Sequence, residues 1–505
     1  MARKTLSSVD TAWLRMEDPT NMMMITGVLV FGAPMDYERL MATIEHGLLR
    51  FDRFRQRVVQ PPWGAFYWAA DPDFDLRYHL QRATLPPPGD QDALQELASV
   101  LASTQLDMQK PLWQFHLVER YGDGCALICR LHHCIGDGLA LVHVLLSLTT
   151  SEPDETWPSL ELTPPPQRRK NPVEKMLRPA KSALKTTIKV TDAFVQQCQA
   201  VRADRSHAAD LARTGVRGTT ALGRLLFLWP DRKTILKGPL GVPKRVAWSP
   251  PIPLQDIKAV GKELGGTVND VVMTAMSGSL HRYLRARGEE ADDLNVRAII
   301  PVNLRSPGTE EELGNKFGLV FLSLPVGTAD PGDRLEEVRR RMDALKDSLE
   351  APVAFGILNA IGAAPETIQD VVVTFFGMKG TAVMTNVIGP RKPIYLAGAP
   401  LESLMFWVPQ SGRLGLGVSI LSYAGRVWLG VMTDEGLVPD PEIIVTGFQD
   451  EFAEFLGLAR AAEEGKENAE RPPSTPERCQ ALTQAGTRCK NPSLPGSDYC
   501  HVHQG

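Results

Sequence analysis

The sequence predicts an α/β protein of two lobes with a small Cys/His module at its C-terminal end. Three observations carry this. The chain has 505 residues, more than a single compact core accommodates. Strand-like and helix-like patterns alternate over residues 1–150 and again over 216–462, on either side of a Pro-rich, basic stretch. Three of the seven cysteines, Cys479, Cys489 and Cys500, fall in the last thirty residues.

In the first lobe, Ile25–Phe31 reads as a strand, rich in β-branched residues and closed by Gly32. Asp36–Phe51 reads as an amphipathic helix, with Leu40, Ile44 and Leu48 spaced by four. A second helix is expected over Gln91–Leu106, after Pro86-Pro87-Pro88-Gly89. Leu112–Val118 and Ala126–Leu131 read as strands, and helical patterning resumes over Leu139–Leu148. Residues 151–215 are expected as a crossover between lobes, and Arg168–Lys189 within it holds eight basic residues against the single acid Glu174. That run reads either as a solvated linker or as a surface attracted to an anionic membrane. In the second lobe, a helix over Gly266–Tyr283, strands over Val296–Val302, Leu319–Val326 and Arg426–Val431, and a closing helix over Pro441–Ala462 are expected. Residues 463–475, charged and Pro-containing, read as a flexible linker, and 476–505 as the tail module.

Composition excludes several classes. Hydrophobic residues make up 43% and charged residues 23%, ordinary for a soluble globular protein. A formal net charge of −4 gives no basic field for nucleic acid. Met1-Ala2-Arg3-Lys4 leads into polar sequence without an apolar run, so no secretory signal is expected. No apolar stretch reaches the ~20 residues of a membrane span. A cytoplasmic protein, peripheral at most to a membrane or lipid inclusion, is expected. There Cys125, Cys129, Cys134 and Cys198 would stay reduced.

The most informative run is His132-His133-Cys134-Ile135-Gly136-Asp137-Gly138, at the exit of a strand and before a helix. A histidine with an ordinary pKa of about 6.5 suits proton transfer near neutrality. Transfer of an acyl group from a thioester to a hydroxyl needs such a base, because an alcohol attacks well only as its proton leaves. The spacing also admits metal binding or local hydrogen bonding. Asp137, between two glycines, reads as an organiser of a tight turn.

With Pro111-Leu112-Trp113, Asn269-Asp270, Pro301-Val302-Asn303-Leu304-Arg305 and Thr385-Asn386-Val387-Ile388-Gly389-Pro390 in that order, and an opening Leu6–Leu14 segment carrying Asp10 and Trp13, the chain resembles the bacterial wax ester synthase/acyl-CoA:diacylglycerol acyltransferase family over roughly residues 5–460. That family belongs to the coenzyme A-dependent acyltransferases sharing the His-His-x-x-x-Asp-Gly motif. The resemblance implies two chloramphenicol-acetyltransferase-like lobes with the active site in a tunnel between them. It implies acyl-CoA as donor and diacylglycerol or a fatty alcohol as acceptor, without a catalytic cofactor. His133 would be the general base and His132 its support. Asp137 would pair with an arginine, for which Arg305 is the candidate, with Gly138 as structural support. Asn269 is either a donor to the oxyanion or a helix N-cap, with Asp270 favouring the helix N-terminus. Trp113 also reads simply as core. Alternatives are a carrier-protein-dependent condensation enzyme of the same superfamily and a non-catalytic lipid-binding protein.

In the tail, Cys479, Cys489, Cys500 and His503 form a candidate zinc set, and the segment resembles small Cys-rich modules with a Tyr-Cys-x-x-His ending. The alternative is a disordered tail with incidental cysteines.

Overall fold

The protein, as a computed structural model, is described over residues 4–62, 64–153, 225, 228–305, 313–346, 348–363, 373–410, 414–470, 478–494 and 497–503. The expected crossover from residue 154 onward, with its basic run 168–189 and Cys198, lies outside the described residues.

Each lobe is built on a seven-stranded sheet. In the first, strand order is Leu80–Ala83, Trp113–Tyr121, Gly124–His132, Met24–Phe31, Ala399–Trp407, Tyr395–Leu396, Thr149–Thr150. Trp113–Tyr121 and Gly124–His132 form a hairpin closed at Tyr121↔Gly124, where Gly122 adopts φ +55°, a conformation glycine takes without a Cβ penalty. Gly124–His132 is buried on both faces apart from the half-buried Cys129, which explains its apolar run from Cys125 to Cys129. Leu40, Ile44 and Leu48 are all buried as their spacing predicts, but the helix is α only over Tyr37–Thr43 and widens into a π turn at Ile44–Leu48.

The second sheet runs Ile252–Pro253, Arg426–Asp434, Leu416–Tyr423, Ala382–Ile388, Val296–Asn303, Phe317–Leu324, with Lys244–Trp248 added on Arg426–Asp434. Helices Leu254–Leu264, Val268–Ala286 and Pro441–Glu470 share its core. Two sequence expectations change here. The closing helix continues past Ala462 to Glu470, through residues read as linker; the added stretch is rich in helix-forming Glu, and Lys466 pairs with Glu263 at 2.8 Å. Residues 395–407 do not stay with their own lobe: Ala399–Trp407 pairs antiparallel with Met24–Phe31 in the first sheet. The lobes therefore interlock.

Helix Ser8–Arg15 packs on helix Glu350–Ala363, bringing the N-terminal segment against the second lobe. The approach requires a glycine, since a Cβ at Gly362 would lie 1.7 Å from the Ser8 carbonyl oxygen.

Candidate active site

The histidine run bridges a strand end and a helix start. His132 is the last residue of its strand, and the His133 N–H donates to the Met23 carbonyl at 2.7 Å. Cys134 and Ile135 are fully buried and anchor the turn. Asp137 caps helix Gly138–Leu146, its Oδ1 accepting from the Ala140 N–H at 3.1 Å. Its Oδ2 faces the Arg305 guanidinium in a short ion pair and accepts from the Lys316 N–H at 3.0 Å. Arg305 also donates to the Gly314 carbonyl at 2.6 Å. Asp137 thus joins the lobes as well as ending the turn.

His133 is 4% exposed, and among the described residues its Nδ1 has no hydrogen-bond partner. Its ring stacks on Trp13, centroids 4.2 Å apart and planes 21° from parallel, with Phe317 at 5.7 Å. Burial pushes its pKa down to about 4, against the nearby Asp137, which pulls it up. The ring is therefore neutral at physiological pH. His132 turns away: its Nδ1 accepts from the Cys134 N–H at 3.1 Å, and its Nε2 lies 3.5 Å from Glu17, whose carboxylate also accepts from the Met23 N–H. An accepting Nδ1 places the His132 proton on Nε2.

The back of the run is held by residues that sequence reasoning missed. The Asn315 side-chain amide donates to both the His133 carbonyl and Asp10 Oδ1, each at 2.8 Å. Arg53 donates to the Ile135 carbonyl at 2.6 Å and pairs with Asp10 at 3.2 Å. Asp10 is fully buried, so these two partners compensate its charge. The opening Leu6–Leu14 segment, legible in the sequence only as a family mark, thereby supplies Asp10 and Trp13 to the site, and Glu17 just beyond it reaches His132.

His133 and Asp137 open onto a cavity of about 270 Å³ between the lobes, with Phe317, Asn386 and Phe406 also in its wall. Two smaller apolar cavities adjoin it. One of about 70 Å³ shares Trp13, Ile299 and Leu319 with it. The other, about 110 Å³, lies beneath helix Gly138–Leu146 and shares Gly138 and Phe406. A Cβ placed on Gly138 would meet nothing within 4 Å. A polar centre with apolar extensions fits a reacting ester group carrying long hydrocarbon chains.

Asn269 stands differently from its expectation. The cap of helix Val268–Ala286 is Thr267, in a capping box with Asp270, so Asn269 is not the N-cap. It is exposed and outside the cavity wall; its Oδ1 accepts from the Asn386 amide at 2.5 Å, and Asn386 is a wall residue. Asp270, 1% exposed, is occupied by Thr267. Trp113 is wholly buried and donates to the Phe54 carbonyl at 2.9 Å, a core position. In the tail, the ligand atoms of Cys479, Cys489, Cys500 and His503 lie within 4.8 Å of one another, a set that could hold a metal ion.

Residues 6–272 match the wax ester synthase/diacylglycerol acyltransferase catalytic domain, and 313–455 match the C-terminal domain of the same family. Proteins of Mycobacterium tuberculosis strain H37Rv and of Mycobacterium bovis, both named as diacylglycerol O-acyltransferases, are 28% identical over 473 residues, 90% of this chain and 96% of each relative. The solved wax ester synthase/diacylglycerol acyltransferase of Marinobacter aquaeolei VT8 superposes with a TM-score of 0.64 at 20% identity, covering 90% of this chain and 99% of that one. The first condensation domain of the calcium-dependent antibiotic synthetase superposes at 0.56 with 16% identity, covering 91% and 96%. At these identities the two structures bear on the fold, which is the same two-lobed α/β architecture.

Proposed function

We propose, from the premise that this chain belongs to the wax ester synthase/diacylglycerol acyltransferase family, that it transfers a fatty acyl group from acyl-CoA to the hydroxyl of diacylglycerol or a long-chain alcohol. The products are triacylglycerol and wax ester. The observation that carries this at the level of the site is His133 itself: neutral, buried, and in the wall of an interlobe cavity with apolar extensions.

His133 takes the proton of the acceptor hydroxyl as its oxygen bonds to the thioester carbonyl carbon. The tetrahedral intermediate carries the charge on the former carbonyl oxygen. Its collapse breaks the carbon–sulfur bond, and the leaving thiolate of coenzyme A takes the proton back from the imidazolium. No acyl-enzyme is needed. Burial that lowers the pKa keeps the base free of solvent protons, while stacking on Trp13 stabilises the cation formed in transit. Asp137 and Arg305, both also in the cavity wall, hold the turn and the interlobe geometry through their ion pair. Asn386 in the wall is the better-placed amide to face the oxyanion, with Asn269 behind it as a positioning residue.

The chemistry requires no catalytic cofactor. A zinc ion in the tail would be structural, since four protein ligands close its tetrahedron. No helix among the described residues is long and apolar enough to cross a membrane. Peripheral association with a membrane or lipid inclusion is proposed from the basic run 168–189 and the apolar substrates. Liposome flotation unchanged when those residues become Gln would count against it.

The deciding experiment measures thiol release from palmitoyl-CoA with 1-hexadecanol and dioleoylglycerol offered in parallel, beside His133→Ala. Acceptor-dependent release, lost in the variant, supports the assignment, and the ratio names the main product. Inactivity with acyl-CoA but transfer from a carrier-bound acyl group would replace it with a condensation-type enzyme.

A further inference from the structure

Residues 478–503 are organised around sulfur rather than hydrocarbon. Their buried cluster is Cys479, Cys489 and Cys500, at 0%, 6% and 0% exposure, with only Ala481 against it. Leu482, Tyr499 and Val502 face solvent, and Leu494 is only half-buried. A segment this short with no apolar core cannot be ordered by burial alone. Its backbone nonetheless brings the thiols together. The Cys479 N–H donates to the Asn491 carbonyl at 3.0 Å and the Cys489 N–H to the Ala481 carbonyl at 2.8 Å, around a turn where Gly486 has φ +69°. The His503 N–H donates to the Cys500 carbonyl at 2.9 Å, folding His503 back beside that thiol.

Three of the six ligand-to-ligand distances are close to a tetrahedron's edges, and all six lie within 4.8 Å. His503 Nδ1 lies 3.4 Å from Cys479 Sγ and 3.2 Å from Cys500 Sγ, and the sulfurs of Cys489 and Cys500 are 3.9 Å apart. A disulfide would bring that last pair to about 2.05 Å. Tetrahedral zinc, with Zn–S about 2.3 Å and Zn–N about 2.0 Å, gives S···S edges of about 3.8 Å and S···N edges of about 3.5 Å. The Asn491 N–H donates to Cys489 Sγ at 3.5 Å and its side-chain amide to Cys500 Sγ at 3.8 Å, the outer hydrogen bonds that support metal-bound thiolates. Three thiolates and an imidazole select zinc over magnesium or calcium, which prefer oxygen ligands.

We propose that Cys479, Cys489, Cys500 and Nδ1 of His503 bind one structural zinc ion, and that residues 478–503 are a metal-dependent module appended to the acyltransferase lobes. His501 is exposed and stays outside the set. The ion holds four protein ligands, takes no part in acyl transfer and is the module's core. The family match ends at residue 455, so the site is an addition to the family's catalytic apparatus.

The test uses the full chain, purified without chelator and assayed for metal by mass spectrometry. One zinc per chain is expected, retained in His501→Ala and lost in Cys489→Ser. Replacement by cobalt under reducing conditions should give the intense thiolate-to-metal charge-transfer band and d–d spectrum of a tetrahedral site, diminished and shifted in His503→Ala. Acyl transfer from palmitoyl-CoA, measured on the same samples, should persist in Cys489→Ser and so separates loss of the ion from loss of the fold. Less than a tenth of an equivalent of zinc in the wild-type chain after incubation with zinc, or full zinc retention when all three cysteines become Ser, overturns the proposal.

Discussion

The indole of Trp13 lies 4.2 Å from the imidazole of His133, nearly parallel to it, although the two residues belong to an N-terminal helix and a strand exit 120 positions apart. The stack gives the proposed base, His133, an aromatic face against which a positive charge can form. A cation over an aromatic ring gains about 0.5–2 kcal/mol. Trp13→Leu should therefore lower kcat roughly tenfold with KM little changed, and Trp13→Phe should recover part of the loss. Equal effects of both variants on KM alone would remove Trp13 from the chemistry.

The ion pair between Asp137 and Arg305 is almost fully excluded from water. Removing one partner leaves the other charge uncompensated. Arg305→Met should cost about 3–5 kcal/mol in denaturant unfolding. Adding Asp137→Asn, which keeps a capping oxygen but no charge, should restore part of it. A double variant as unstable as the sum of the singles would show that the pair is not coupled.

The pH dependence follows from the lowered pKa of His133. Between its folded value of about 4 and an ordinary 6.5, the unfolded chain binds a proton that the folded chain does not. This contribution to stability is complete above pH 6.5 and is lost as pH falls toward 4. His133→Gln should flatten that part of the stability profile. In the wild-type enzyme, kcat/KM should show no ionisation near 6.5 from this residue. A rate limb at 6.5 that vanishes in slow, His133-independent turnover would contradict the assignment.

Thr267 and Asn269 sit two residues apart and should separate cleanly. Thr267→Ala removes the cap and should cost about 1 kcal/mol of stability with little effect on kcat. Asn269→Ala should leave stability nearly unchanged and lower kcat through Asn386, while Asn386→Ala should lower it further, on the order of a hundredfold. Equal kcat in all three would remove both amides from oxyanion stabilisation.

Gly138 stands where the central cavity meets the apolar cavity beneath its own helix, with open space around it. Gly138→Leu fills that junction without a backbone conflict. The rate ratio of stearoyl-CoA to octanoyl-CoA should fall at least about tenfold, since each excluded methylene is worth about 1–3 kcal/mol. An unchanged ratio would place the acyl chain elsewhere.

What is legible in the sequence is local. A β-branched run closed by Gly32, a Pro-Pro-Pro-Gly break before a helix and an i, i+4 apolar ladder each encode their element within a few residues, and such elements alternating along the chain suffice to indicate a two-lobed α/β fold. The histidine run is legible for the same reason, because strand exit, turn and helix cap lie within seven residues. Asn315, Arg53 and Glu17 are not. Each acts on the His132–Asp137 loop from a segment that carries no pattern of its own, and only the fold brings Arg53 and Asn315 to Asp10. Asn269 has the residue type of a cap but not its place, because Thr267, two residues earlier, fills that position. The sheet to which Ala399–Trp407 belongs is equally illegible: alternation tells a strand which face is buried, not which neighbour it will pair with.

That exchanged strand makes the enzyme a clasp. The first lobe's sheet is completed by a ribbon that leaves the second lobe between its strands Ala382–Ile388 and Leu416–Tyr423, so neither half can be withdrawn without unzipping the antiparallel pairing from Phe31↔Leu401 to Thr26↔Trp407. Severing the chain between residues 154 and 224 would break its covalent continuity yet leave two pieces fastened to each other. Co-expressed halves divided there should assemble, whereas a first half produced alone would present the bare edge of Met24–Phe31 and aggregate through it. The site is thus bridged by a buckle of hydrogen bonds that fastens one lobe to the other.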